Sequence, residues 1–266
     1  MKTFELVSII TPNYNCAQFI CETIRSVQAQ TYKEWEMIIV DDCSTDGSIE
    51  VVKPYAERDA RIRVLKNPTN SGAAVSRNYA LREAKGRWVA FLDSDDLWHP
   101  EKLERQLQFM VERDLAFSYT QYNEISESGS ETGVSVSGPL RITKFGMFCF
   151  CWPGCLTVMY DREKIGDIQI ADIKKNNDYA MWLKVCRKAT CHLLPETLAR
   201  YRRGRTGSVS THGYATMIKW HYKLWHEAEG LNPISSVFWT GMNLVCGVWK
   251  KWRYVNYNSQ HTTLTK

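Results

Sequence analysis

Residues 70–98 read NSGAAVSRNYALREAKGRWVAFLDSDDLW. Gly72–Ala84 is rich in alanine and is closed by Gly86, the composition and stop signal of a helix. Trp88–Leu92 follows as a short, nearly all-apolar run, which suits a strand covered on both faces, and it stops abruptly at Asp93-Ser94-Asp95-Asp96. The same alternation extends outward. Upstream, the runs Leu6–Ile10, Met37–Val40 and Ile62–Leu65 are separated by helix-like segments at Ala17–Gln28 and Ser48–Glu57. Downstream, Pro100–Glu112 has the 3.6-residue period of an amphipathic helix and Ala116–Tyr119 has the look of a strand. The series β-α-β-α predicts an α/β fold, Rossmann-like, with a mostly parallel central sheet flanked by helices.

Beyond residue 122 the pattern weakens. Residues 123–140 are rich in Ser, Gly and Glu without periodicity and read as a surface loop. A second block begins near residue 141, with a strand at Leu156–Tyr160, a helix at Tyr179–Cys186 and a strand at Thr197–Tyr201. Domain boundaries are expected at 1–210, divided into halves 1–122 and 141–210, and at 211–266, a helical C-terminal extension.

Charge is unevenly distributed: residues 184–254 hold 12 Lys/Arg against 3 Asp/Glu, whereas the whole chain of 266 residues carries only +5. Five of the ten tryptophans (Trp220, Trp225, Trp239, Trp249 and Trp252) fall between Lys219 and Tyr254, with Lys250, Lys251 and Arg253 at the end of that window. Tryptophan beside Lys/Arg is favoured in lipid headgroups, so this segment is read as a membrane-surface attachment, with a helix pair packed on the core as the plainer alternative. The uncharged stretch 230–249 contains Asn232, Pro233, Ser235, Ser236, Thr240 and Asn243 and makes a poor membrane span. The N-terminal apolar stretch is too short for a signal peptide, and nine scattered cysteines form no disulfide framework. Cys149, Cys151 and Cys155 read as buried small hydrophobes rather than as metal ligands. The expected location is cytoplasmic, peripheral to the inner face of the cytoplasmic membrane.

In an open parallel sheet the carboxyl ends of the strands line the ligand crevice. Here the strands run into Thr11-Pro12-Asn13-Tyr14-Asn15, into Asp41-Asp42-Cys43-Ser44 and into Asp93-Ser94-Asp95-Asp96. Three carboxylates within four residues repel one another unless a cation intervenes, and hard oxygen ligands suit Mn²⁺ or Mg²⁺ shared with substrate phosphates. Asp95 or Asp96 could instead cap the following helix. Neither a P-loop nor a GxGxxG fingerprint is present. Tyr14 is suited to stack on a base and Asp41 to accept from a uracil N–H, while a packed aromatic and a turn residue are the plainer readings. Together the three ends describe a pocket for a metal-held nucleoside diphosphate.

Four segments in order, SIITPNYN (8–15), EMIIVDDCSTDGS (36–48), NSGAAVSRNYALREAKGRWVAFLDSDDLW (70–98) and NDYAMWLK (177–184), resemble the inverting family 2 glycosyltransferases of the GT-A fold. The resemblance runs through most of residues 5–205. It implies a UDP-sugar donor, UDP-Glc or UDP-Gal, with Thr11, Pro12, Tyr14, Asp41, Arg77, Asp93, Ser94 and Asp96 on the donor side. It also implies metal ligation by Asp95, helped by Asp93, and Asp178 as the general base that accepts the proton of the attacking hydroxyl. Asp178 opens its helix, whose dipole is expected to keep it ionised, and an N-cap is its alternative use. Two departures stand out: Asn177 replaces the family's usual Glu, and no His follows Tyr201 before His212. Arg202, Arg203 or Arg205 are the substitutes expected to contact phosphate, unless they form a solvated basic loop.

The size and pattern resemble bacterial enzymes that add one sugar to a polyprenyl-diphosphate-linked saccharide acceptor, forming a β-linkage in O-antigen or capsule assembly, and the basic, Trp-rich C-terminal part suits such an acceptor. The DxDD pattern and GCLTVMYDREKIG (154–166) look like enzymes making β1,3 linkages of glucose or galactose to N-acetylhexosamine. Residues 141–160 are expected on the acceptor side. A nucleotidyltransferase is disfavoured because TPNYNCAQF lacks a Gly-rich basic loop. A non-catalytic module binding membrane or nucleic acid leaves the acidic strand ends without a purpose, and no nucleic-acid partner is expected.

Overall fold

The computed structural model describes residues 5–204 and 214–257. The elements, in chain order, begin with β1 (Val7–Asn13), α1 (Ile20–Gln28), β2 (Trp35–Asp41), α2 (Ser48–Arg58), β3 (Ile62–Lys66), α3 (Ala73–Glu83) and β4 (Trp88–Phe91). They continue with β5 (Leu97–Trp98), α4 (Lys102–Glu112), β6 (Phe117–Ile125), β7 (Glu131–Val136), β8 (Arg141–Ile142), α5 (Lys144–Cys149), β9 (Met159–Asp161), α6 (Arg162–Ile165) and α7 (Asn177–Cys186). The last are β10 (Cys191–Arg202), α8 (Tyr214–Lys223) with a π turn at Leu224–Ala228, α9 (Pro233–Tyr254) and β11 (Val255–Tyr257).

The first four strands lie side by side in the order β3-β2-β1-β4, all parallel, as the alternating pattern predicts. Their side chains alternate between two cores. Ile10, Ile38, Val40, Val89 and Phe91 face α3 and α7. Val7, Ile9, Met37, Ile39 and Ala90 face α1 and α4, which present Ile20, Ile24, Leu103 and Leu107. Burial of both sheet faces explains why these strands are apolar without alternation. Gly86 is required at the turn into β4: a Cβ there would stand 2.6 Å from the Leu6 carbonyl and 2.7 Å from the Ser8 nitrogen.

Past β4 the sheet turns mixed. β9 runs antiparallel between β4 and the start of β6, and β10 lies parallel along the opposite side of β6. Three expectations are corrected here. Half of residues 123–140 are strand: β6 continues to Ile125 and turns through Ser126–Ser130 into β7, whose outward positions are solvent-facing and need no apolar residues. Leu156–Tyr160 is no single strand, because Cys155–Thr157 forms a 3₁₀ turn ahead of β9. β10 starts six residues before Thr197, its pairing with β6 shifting register around Pro195 and Glu196.

The C-terminal elements pack on the α7 side. Trp225 is fully buried against Phe148, Tyr179 and Trp239, so part of the tryptophan-rich segment serves as core. Of its other members, Trp220 is half-buried, and Trp249 and Trp252 are exposed.

Candidate active site

The ends of β1, β2 and β4 meet on one edge of the sheet. Asn13 pairs with Asp41 in register, and its side-chain amide donates to Asp41 Oδ1 at 2.8 Å. Ser44 adds its hydroxyl at 2.5 Å and its amide at 3.0 Å to the same carboxylate. Asp41 is 1% exposed, and Asn13 and Ser44 fix its carboxylate in the crevice wall at the end of β2. Its neighbour Asp42 orients the start of α3, accepting from the Ser71 and Gly72 amides at 2.8 and 2.7 Å and from Asn67 at 2.7 Å. Thr11 is buried within the sheet and Ser94 is buried beside it. Pro12 is half-buried and Tyr14 is 47% exposed, leaving the Tyr14 ring available for stacking at the edge.

The buried guanidinium of Arg77, on α3, ties two site segments together. It donates to Asp93 Oδ1 at 2.5 Å and to Asn177 Oδ1 at 2.7 Å. Asn177 thus occupies the position of the family's Glu as a neutral acceptor. Burial works against the Arg77 charge, but the carboxylates of Asp93 and Asp178 outweigh it and hold the group protonated. The third carboxyl of the run, Asp96, is buried and accepts the Arg202 amide at 2.8 Å. Burial first, then the charges of Asp95 and Asp93, push its proton affinity well above that of an ordinary aspartate. Neither Asp95 nor Asp96 caps a helix, since β5 intervenes and α4 begins only at Lys102.

The arginine expectations divide. The Arg202 side chain is buried and committed: it donates to the carbonyls of Asp95 (2.8 Å) and Glu127 (2.7 Å), pairs with Glu22 at 2.7 Å and covers the Phe19 ring. It anchors the acidic turn to the sheet and is not a phosphate ligand. Arg203 is largely exposed and paired with Glu124 at 2.7 Å, which holds it charged. Arg205 and His212 lie outside the described residues.

Asp93 and Asp96 open onto a cavity of about 470 Å³ whose wall also contains Asp178. α7 begins at Asn177, so Asp178 sits in its first turn and is not the cap, a position held by Asn176. Burial raises the Asp178 pKa and is the dominant influence; Arg77 and the helix-terminal amides oppose it only in part. The expectation that the helix dipole keeps this group ionised is therefore qualified by burial: Asp178 binds a proton more readily than a free aspartate. Tyr122, Glu124, Tyr201, Arg203, Gly154 and Lys250 are also part of the wall. Sequence reading missed Lys250, Glu124 and the two tyrosines. They come from β6, β10 and α9, and no local spacing links them to Asp178. The cysteines of residues 149–155 are thiols whose proton affinity burial raises, the behaviour expected of small apolar packing groups.

Residues 8–158 match the family model for glycosyl transferase family 2. The chain belongs to glycosyltransferase family 2. Among its relatives, TuaG of Bacillus subtilis (strain 168), provisionally named a teichuronic acid biosynthesis glycosyltransferase, is 44% identical over 85% of this chain and 90% of its own length. The UDP-Glc:α-D-GlcNAc-diphosphoundecaprenol β-1,3-glucosyltransferase WfaP of Escherichia coli is 40% identical over 81% of this chain and 84% of its own. The crystal structure of S. aureus TarS 1–349 with UDP-GlcNAc superposes with a TM-score of 0.67 at 22% identity, over 88% of this chain and 69% of that one, and shares the GT-A fold. Within this family 2 enzyme the Arg77 bridge joins the strand-end half of the site to the half that carries Asp178.

Proposed function

We propose that this glycosyltransferase moves a hexose from UDP-Glc or UDP-Gal, with inversion, onto a saccharide linked through diphosphate to a polyprenol, in the assembly of a bacterial surface polysaccharide. The observation that carries the reading is the single cavity onto which Asp178 and the Asp93 strand end both open. The printed activity of WfaP, which shares 40% identity with this chain, supports the donor and acceptor classes.

In this reading Tyr14 stacks on the uracil and Pro12 shapes its slot. The acceptor hydroxyl attacks the anomeric carbon, its proton passes to an Asp178 carboxylate oxygen, and the bond to UDP breaks on the opposite face. Arg77 holds Asp93 and the start of α7 in one arrangement, so that base and donor stay aligned. The acidic turn fits a divalent ion. Its ligands are hard oxygens, the charges of Asp95 and Asp93 crowd Asp96, and Mg²⁺-type sites take one or two carboxylates with the rest from phosphate and water. Among the described residues no three His, Cys, Asp or Glu side chains converge as a metal cage. Asp95 and Asp93 would hold Mn²⁺ or Mg²⁺, which when bound neutralises the departing diphosphate.

The membrane surface enters through α9. Ile234, Val237, Phe238, Val245, Val248, Trp249 and Trp252 are exposed at helical spacing along it, while Ser236, Thr240 and Asn243 are buried on the other face. An apolar stripe turned outward beside exposed Lys251 and Arg253 suits an anionic lipid surface. Among the described residues no helix is long and apolar enough to cross a membrane.

Incubation with UDP-[¹⁴C]glucose or UDP-[¹⁴C]galactose, Mn²⁺ and a synthetic GlcNAc-diphosphate-lipid tests the proposal. Labelled lipid-linked disaccharide with release of UDP is expected. UDP-sugar consumption without any labelled lipid product refutes the acceptor class, and undiminished transfer in excess EDTA refutes the metal.

A further inference from the structure

Lys250 is an ammonium brought to the Asp178 cavity from α9, 72 residues away in the chain. It is enclosed and holds the Trp152 carbonyl at 2.7 Å and, more weakly, that of Cys151 at 3.5 Å. An ammonium has three donors, and among the described residues these two carbonyls are its hydrogen-bond partners. The helix that carries it is fixed to the same wall: Asn243 donates to the carbonyls of Phe148 and Cys149 at 3.0 and 2.7 Å, and Trp152 stacks edge-on against Tyr254. The cavity itself is acidic. Asp93, Asp96, Glu124 and Asp178 line it, against Lys250 and an Arg203 already paired with Glu124. The donor's diphosphate would sit with its ion at the Asp93–Asp95 turn; a second diphosphate deeper in the cavity would face Glu124 and Asp178, whereas a neutral sugar finds acceptors there for its hydroxyls and the rings of Tyr122 and Tyr201.

We infer that Lys250 is an acceptor-binding residue whose free N–H donates to an oxygen of the acceptor sugar, a hydroxyl or an acetamido carbonyl, and turns the attacking hydroxyl toward Asp178. The inference rests on the transferase reading above. It makes α9 part of the acceptor site, so that one helix carries a sugar contact on its inner face and the apolar stripe on its outer face. The diphosphate of the acceptor lies outside the cavity.

Lys250→Met keeps the length of the side chain and removes the donor. With GlcNAc-diphosphate-lipid, acceptor KM is expected to rise about 10- to 100-fold, the effect of losing a charged hydrogen bond, while UDP affinity by calorimetry stays within about twofold. The rise should be the same with an alkyl GlcNAc glycoside that lacks the diphosphate. Deoxy and de-N-acetylated acceptors supply the deciding measurement. One of them should be a poor acceptor for the unaltered enzyme yet no worse than GlcNAc for Lys250→Met, because the enzyme and the sugar would then each have lost one end of the same bond. A rise confined to the diphosphate acceptor, equal discrimination by both enzymes, or weakened UDP binding overturns the assignment. If the unaltered enzyme glycosylates none of these acceptors, the proposed function itself fails; transfer by the unaltered enzyme without the coupling sinks Lys250 alone.

Discussion

Asp178→Asn separates chemistry from folding. The substitution keeps the shape of the side chain and removes the proton acceptor, so the turnover rate should fall by about 10²–10⁴, or roughly 2.7–5.4 kcal/mol of barrier. Stability should move the other way. The folded pKa of Asp178 lies above its usual value of 3.8 because burial outweighs Arg77 and the helix amides. The unfolded chain therefore gives up this proton at lower pH than the folded one, and the ionised carboxylate opposes folding at neutral pH. A neutral amide relieves that opposition, so the thermal midpoint of the variant at pH 7.5 should equal or exceed that of the unaltered protein. The same shift places the acid limb of turnover above pH 3.8, with activity lost as pH falls through the raised value. The assay is UDP release with GlcNAc-diphosphate-lipid, alongside UDP calorimetry and thermal unfolding. Retention of more than about a tenth of the rate removes Asp178 from the chemistry; a clear drop in midpoint with full UDP binding refutes the account of its burial.

Arg77→Met breaks a buried ion pair and frees both Asp93 and Asn177, and should cost about 3 kcal/mol in urea unfolding; a loss under about 1 kcal/mol contradicts the bridge. Gly86→Ala should destabilise through backbone contacts at 2.6 and 2.7 Å, and an unchanged unfolding midpoint would be inconsistent with that close approach. Replacing Trp249 and Trp252 together by Ser should lower binding to anionic vesicles roughly tenfold or more, without changing UDP affinity. Undiminished co-sedimentation would take the outer face of α9 out of the membrane contact.

The parallel half was legible because double burial leaves a continuous apolar run that stops where the ligand edge begins. Asp93, Arg77 and Asp178 lie in such stretches or in the helices packed on them, and the structure brings all three together. The mixed half was less legible for opposite reasons. β7 faces solvent and tolerates Ser, Gly and Glu, and Pro195 interrupts the run that becomes β10. A long polar stretch thus concealed a hairpin. Asp41 shows a different limit: a strand-end carboxylate carries no mark in sequence of the partners that fix it, and its bonds to Asn13 and Ser44 appear only in the fold. For Lys250 the obstacle was separation along the chain, since a basic cluster at the end of a helix carries no mark of which member points inward.

Asn243 has a consequence for protein engineering. Its amide joins α9 to the carbonyls of residues 148 and 149, so the segment after α5 and the last long helix behave as one panel. A chimaera that borrows residues 141–160 from a relative while keeping its own α9 would pair two mismatched halves of that panel. Grafts intended to redirect the enzyme to another acceptor should carry both pieces together.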